Sequence, residues 1–462
     1  MATIAETLAG RIATVRFEAL PDDAVHWAKV AVLDTVGCTL AGAQEECARI
    51  VGHAATVGQT GGDCLVFGTN RRVPPLEAAL INGTAAHALD YDDCSNTLGG
   101  HPSAPILPAL FALGELRGLS GRALLSAYVA GWETETRIAR GVNFHHYEKG
   151  WHPTATLGVF GAAAACSHML GLDRAKIARA LALAATFASG IKANFGTMTK
   201  PLHVGHAARN GMLAALLAAD GFTSVPGALE HKQGFLQVYN GAGQFNAEAI
   251  LAGWGDPWDI VHPGVAIKQY PCCGSTHPAI DAMMMLVREH DLTPAQVAKV
   301  VSWTHARRLA HTNRPDPQSD LDAKFSVQYC LARALVSRGI GIEHFEGDRY
   351  RDAAIRAVLP RIVAEPHPDM PMDTTEHFGA EVRVTLTDGR QVSQTVRRPL
   401  GRGPEEPLPT ALLEAKFINC ARRRLPAVTV SGLLPMLRGL DSVTDLRRLT
   451  NAMLPQPAVA AE

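Results

Sequence analysis

Apolar residues recur at helical spacing through most of the chain up to about residue 265. The stretch "PDDAVHWAKVAVLDTVGCTLAGA" opens with Pro21 and Asp22, good first-turn residues, and then repeats apolar positions every three to four residues. "SGRALLSAYVAGWETETRIARGV" behaves likewise, and "TATLGVFGAAAACSHMLGL" is built almost entirely of small residues that let helices approach closely. "LDRAKIARALALAATFASG" and "HVGHAARNGMLAALLAADG" end in glycine, a common helix stop. After "IKQYPCCGSTHP" the texture changes. "VAKVVSWTHARRL" carries a β-branched, strand-like run, and "AEVRVTLTDGRQVSQTVRRP" alternates about Asp388-Gly389, a hairpin signal. Stretches between them, "DAAIRAVLPRIV" included, read as helix. From about residue 405 the helical spacing returns in "LLEAKFINCARRRL" and "VTDLRRLTNAML". The pattern predicts a mainly α protein. A large all-helical domain spans 1–267 and is completed by 401–462. A smaller α+β domain, 268–400, is inserted into it. A cleft between two such domains is the default place for a ligand.

The totals narrow the class. At 462 residues the chain has room for two or three domains, and with 47% hydrophobic and 19% charged residues it can build a large core. That excludes a disordered chain and leaves apolar surface for a partner copy. A formal net charge of -1, with no dense basic stripe, argues against a nucleic-acid binder. The nine cysteines show no CxxC spacing and read as reduced thiols of a cytoplasmic protein. The first residues do not form a secretory signal, and no apolar run is long enough to span a bilayer.

The densest chemistry lies in "HALDYDDCSNTLGGHPSAPILPAL", where Asp90, Asp92 and Asp93 precede His101-Pro102. Several helices begin in a similar way: His101-Pro102, His152-Pro153, Lys200-Pro201 and His277-Pro278. Proline suits a helix start, but a cation there opposes the helix dipole. An anion held between such side chains and the exposed N–H groups would resolve the conflict. Chance is the competing account, because His262-Pro263 and His367-Pro368 carry the same dipeptide. On a regular helix Asp90 and Asp93 would share a face and Asp92 would point elsewhere. Such acids near histidines suit general acid–base work, capping, or a divalent ion held with His87 or His101. His203 and His206 read as packing residues rather than a zinc pair. Tyr329 in "DLDAKFSVQY" is either a hydrogen-bond donor across the cleft or a core residue. No Walker loop, GxGxxG fingerprint or GxSxG elbow is present. Proton transfer on an anionic small molecule is the sharpest reading, against a non-catalytic carboxylate binder or a metal-dependent hydrolase.

Taken together, "HALDYDD…GGHPSAPILPAL", "WHPTATLGVFGAAAA", "KPLHVGHAARNG", "KQYPCCGSTHPAIDA" and "KFSVQY" resemble the MmgE/PrpD family over nearly the whole chain. That family includes 2-methylcitrate dehydratases, cis-aconitate decarboxylase and iminodisuccinate epimerase. The resemblance implies a helical domain with an α+β lid domain, a homodimer, a small carboxylate substrate, and no metal or organic cofactor. It implies a lyase, with a 2-methylcitrate- or citrate-type dehydratase placed first and a decarboxylase or epimerase as alternatives. It assigns catalysis to Asp90, His101, His152, Lys200, His277 and Tyr329. It points to Lys268 for carboxylate binding, and Cys94, Thr97 and His203 are taken with it as the expected substrate-binding set, Thr97 as a stand-in for a hydroxyl. One departure stands out: where the decarboxylase branch carries threonine, this chain has Cys94.

Overall fold

The computed structural model describes residues 2–59, 61–370 and 379–455. Its internal contacts divide the chain into two units. One runs to Ile267 and resumes at Pro409; the other is Lys268–Leu408. The second unit thus extends past residue 400. The Leu400 N–H donates to Asp281 of that unit (3.3 Å), and the Gly401 N–H closes a turn on the Glu406 carbonyl (2.7 Å).

The first unit is a stack of helices. Asp22–Gly42, Pro75–His87, Ser103–Arg117, Gly121–Val142, Gly158–Met169 and Thr199–Ala219 make up most of it, and Thr410–Ala421 packs on the first of these. Small residues set the spacing. A Cβ on Gly83 would lie 2.8 Å from the Gly205 Cα, so Pro75–His87 and Thr199–Ala219 meet backbone to backbone. A Cβ on Gly211 would lie 2.4 Å from the Ala162 Cβ, so Thr199–Ala219 also seats against Gly158–Met169. This close packing brings the start of the Thr199–Ala219 helix to the loop that follows His87.

The second unit carries a four-stranded sheet in the order Ile362–Pro366, Val297–Thr304, Ala380–Leu386, Gln391–Val396. The first pair is parallel (Val300 opposite Ile362) and the other two are antiparallel (Val300 opposite Val384, Val384 opposite Val392). Ala380, Val382, Val384 and Leu386 alternate inward, and the helices His277–His290 and Val327–Ser337 complete that core. "DAAIRAVLPRIV" is helix only in part. Ala353–Val358 is helical, a 3-10 turn spans Leu359–Arg361, and Ile362 begins the edge strand. Pro360 cannot continue the helix, and β-branched Ile362 and Val363 favour the sheet. No helix among the described residues is long and apolar enough to cross a membrane.

Candidate active site

The titratable residues of the Asp-rich stretch gather in the first unit. The Pro75–His87 helix ends at His87, and the chain then turns through Asp90, whose φ of 53° lies in the left-handed region. Aspartate tolerates that region better than most residues. The loop is pinned at its far end by Cys94, which exchanges backbone hydrogen bonds with Ala266 (2.7 and 2.8 Å). This is not a helix, so the aspartates do not divide as helical spacing predicts. Asp90 and Asp92 flank His101, while Asp93 turns into the core.

Lys200 is the second residue of the Thr199–Ala219 helix, and its Nζ donates to Asp90 Oδ1 (2.7 Å). The predicted anion at this helix start is therefore a carboxylate of the chain itself. His101 Nε2 lies 3.5 Å from the same oxygen. On the other side of the ring, Nδ1 lies 3.2 Å from Asp92 Oδ2. Asp92 also receives His87 Nδ1 (2.9 Å). Burial opposes ionisation of Asp92, but His101 and His87 beside it hold its carboxyl well below the usual range. An ionised carboxylate only accepts, so it fixes a proton on Nδ1 of each imidazole. In His101 this leaves Nε2, facing Asp90 and Lys200, as the atom that can exchange a proton. The side chains of Lys200, Asp90 and His101 retain 9%, 7% and 11% exposure, whereas His87 and Asp92 have 0%. The first three can meet a ligand; the last two support them from behind.

The neighbouring histidines are neutral. Burial drives His87 down to about 4 and outweighs the pull of Asp92. Burial, with the Lys200 charge nearby, holds His152 well below its ordinary value. His152 caps the short Pro153–Thr156 helix, and its Nδ1 lies 3.2 Å from His203 Nδ1. Phe195 stands edge-on to the His152 ring at 4.8 Å. Cys94 Sγ is 3.8 Å from His101 Nδ1. Thr97 contributes its backbone carbonyl to Asn143 (3.0 Å).

Asp93 belongs to a different network. It accepts from the Ser103 hydroxyl, which also meets Tyr128 OH at 2.6 Å. Burial raises its pKa well above the carboxylate range against the Ser103 bond, helped by the Asp34 and Asp92 charges. A raised folded-state pKa stabilises at low pH and loses that contribution as pH rises from about 4 towards the folded value. Asp93→Asn should therefore gain on the wild type with rising pH, by at most about 1.4 kcal/mol per pH unit. Melting curves of both proteins from pH 5 to 8 measure this; a constant gap would refute the buried neutral acid.

The other assigned residues lie in the second unit. His277 opens the His277–His290 helix with its Nε2 3.3 Å from the Cys272 carbonyl. Lys268 is buried. Tyr329 matches the core alternative: its hydroxyl donates to the His344 carbonyl and accepts from Arg333 Nε (2.9 Å), and burial pushes it up to about 12.

Among the described residues, His87, Asp90, Asp92 and His101 are the group that could hold a metal, with candidate ligand atoms within 4.8 Å of one another. Their chemistry does not fit one well. The Lys200 ammonium already stands 2.7 Å from Asp90, and both imidazoles turn N–H donors, not lone pairs, towards Asp92.

A buried string of ammonium, carboxylate, imidazole and carboxylate, set in a helical unit, is equipment for proton transfer. The MmgE/PrpD N-terminal domain matches residues 6–248 and the MmgE/PrpD C-terminal domain matches residues 270–433, and the chain belongs to that family. It is 30% identical over 473 residues to the cis-aconitate decarboxylase of Mus musculus, covering 100% of this chain and 95% of the relative. The cis-aconitate decarboxylase of Aspergillus terreus is 28% identical over 465 residues, 95% of this chain and 94% of that protein. The mitochondrial 2-methylcitrate dehydratase of Yarrowia lipolytica (strain CLIB 122 / E 150) is 24% identical over 443 residues, 89% and 82% respectively.

Proposed function

We propose that the protein is a lyase that acts on a small di- or tricarboxylate by moving protons with its own side chains, without a metal or organic cofactor. The observation that carries the reading is the string Lys200–Asp90–His101–Asp92. Lys200 attracts a substrate carboxylate and stabilises charge that builds on it. His101 Nε2 carries the mobile proton while Asp92 holds Nδ1–H. In decarboxylation, the bond to the departing carboxylate breaks and carbon dioxide leaves. The electron pair spreads into the conjugated acid, and a proton from Nε2 then closes the carbon. In dehydration, a base removes the proton beside a carboxylate and the hydroxyl leaves with a second proton.

cis-Aconitate is the first substrate to test, because the relatives of 28–30% identity over nearly the whole chain carry that name. Dehydration of a 2-methylcitrate-type acid is the second reading. It is favoured by Cys94, a thiol beside His101 in place of the threonine of the decarboxylase branch. His152, His203, Cys94 and Thr97 line or support the site in this proposal, and the family resemblance is the ground for proposing roles for Lys268, His277 and Tyr329. The homodimer and a cytoplasmic setting are part of the proposal as well. The dimer is supported by exposed apolar side chains such as Ile191 and Met198, the setting by nine free thiols.

Proton NMR in deuterated water, with chelator present, tests the reading on cis-aconitate, 2-methylcitrate, citrate and iminodisuccinate. The expected result is carbon dioxide loss from cis-aconitate, or a new alkene from 2-methylcitrate, abolished by His101→Gln. Activity that dies on chelation and returns with a divalent ion would sink the cofactor-free part. Full turnover by folded His101→Gln would sink the assignment.

A further inference from the structure

Lys416 is a buried cation that the proton-transfer string does not use. Lys416 lies on the Thr410–Ala421 helix, far along the chain from the Asp-rich loop, yet its ammonium sits directly behind that loop. Its Nζ is 2.6 Å from Asp34 Oδ1 on the Asp22–Gly42 helix, with the two side chains at 4% and 0% exposure. The same Nζ donates to the Tyr91 carbonyl (2.8 Å) and stands 3.9 Å from the centre of the Tyr91 ring. Burial disfavours the charge, but Asp34 beside it keeps Lys416 protonated and raises its pKa.

Tyr91 is the residue between Asp90 and Asp92. The loop is tied at its start by the Asp90 N–H to the His87 carbonyl (3.2 Å) and at its end by the Cys94–Ala266 bridge. Between those ties Asp90 holds a left-handed φ of 53°. A backbone conformation of this kind persists where its surroundings fix it. The Lys416 donor grips the peptide that follows it.

We propose that Lys416, seated on Asp34, is a positioning residue: it holds the Tyr91 carbonyl so that Asp90 faces Lys200 and His101 while Asp92 faces the opposite edge of the His101 ring. Asp34 supplies the counter-charge, and Lys416 supplies the hydrogen bond. The Thr410–Ala421 helix thus takes part in shaping the site. The catalytic consequence rests on the lyase reading above; the loop geometry does not.

The test uses the full chain. Lys416→Met alone strands the Asp34 carboxylate in the core and is expected to fold poorly. The double variant Asp34→Asn/Lys416→Met removes both charges at similar volume and is expected to fold with a melting temperature near the wild type. Two readouts follow in that folded protein. Hydrogen exchange of peptides covering residues 88–98 should quicken about tenfold, with the rest of the unit unchanged. On the substrate found for the wild type, kcat should fall about 100-fold with KM changed far less, because a displaced acid–base pair harms the reacting geometry. Unchanged exchange in 88–98 overturns the proposal, whatever happens to turnover, and so does a folded double variant with wild-type kcat. Quickened exchange in a protein whose wild type turns over no carboxylate supports the positioning role and sinks the lyase reading instead.

Discussion

Lys200→Met should abolish measurable turnover, lowering kcat/KM by about 10³-fold or more, and should also cost stability. Two effects combine. The ammonium pairs with Asp90 at 2.7 Å, with side chains only 9% and 7% exposed. Removing one partner of a buried pair leaves the other charge uncompensated, worth about 3–5 kcal/mol. The second effect is on chemistry. In the proposed reaction, charge that develops on the substrate carboxylate loses Lys200 as a counter-ion, and removing one preorganised group of this kind costs about 10²–10³-fold in kcat. The rest of the loss comes from Asp90, which would turn from the missing lysine towards His101. Lys200→Met/Asp90→Asn separates the two effects. It should recover most of the melting temperature and none of the turnover. A double variant that recovers turnover along with stability would mean that Lys200 serves the fold alone.

The helical unit was legible because its signal is local: apolar spacing, prolines at starts and glycines at stops. The hairpin about Asp388-Gly389 was legible for the same reason, alternation on both sides of a turn dipeptide. The strand Ile362–Pro366 was not. It is short, begins two residues after Pro360 at the end of a helical pattern, and its pairing partner Val297–Thr304 lies far back in the chain. The site divides along the same line. The helix starts drew attention to His101, His152, Lys200 and His277 through a conflict with the helix dipole. The resolution of that conflict at Lys200 was hidden, because Asp90 is 110 residues away. Asp92 was misplaced because helical spacing was applied to a loop. One left-handed residue, Asp90, rotates the following carboxylates and sends Asp92, not Asp93, to the His101 ring. Lys416 carries no local signal at all; a lysine in "LLEAKFINCARRRL" reads as a solvated position until the tertiary packing buries it on Asp34.

Asp92→Asn should be nearly as damaging as the loss of His101, although Asp92 has 0% exposure and cannot reach a substrate. The carboxylate accepts from His87 Nδ1 at 2.9 Å and from His101 Nδ1 at 3.2 Å. An asparagine offers one accepting oxygen and an NH₂ that can only donate. The NH₂ group then meets an Nδ1–H that the second carboxylate oxygen had accepted, and an imidazole that turns a lone pair to it carries its proton on Nε2. If His101 is the one that switches, its Nε2 already carries the proton and cannot take another, and no carboxylate remains on Nδ1 to stabilise the imidazolium. The equivalent change in a hydrolase triad costs about 10⁴-fold in kcat with the geometry intact, and a loss of about 10³–10⁴-fold is expected here. Stability should fall as well, because the contacts with His101 and His87 outweigh burial and make the ionised Asp92 favourable in the fold above about pH 4. The two substitutions act through one unit, so Asp92→Asn on top of His101→Gln should add little further loss. Steady-state kinetics of the two single variants and the double variant measure this. Losses that multiply would show that Asp92 acts on something other than the His101 ring.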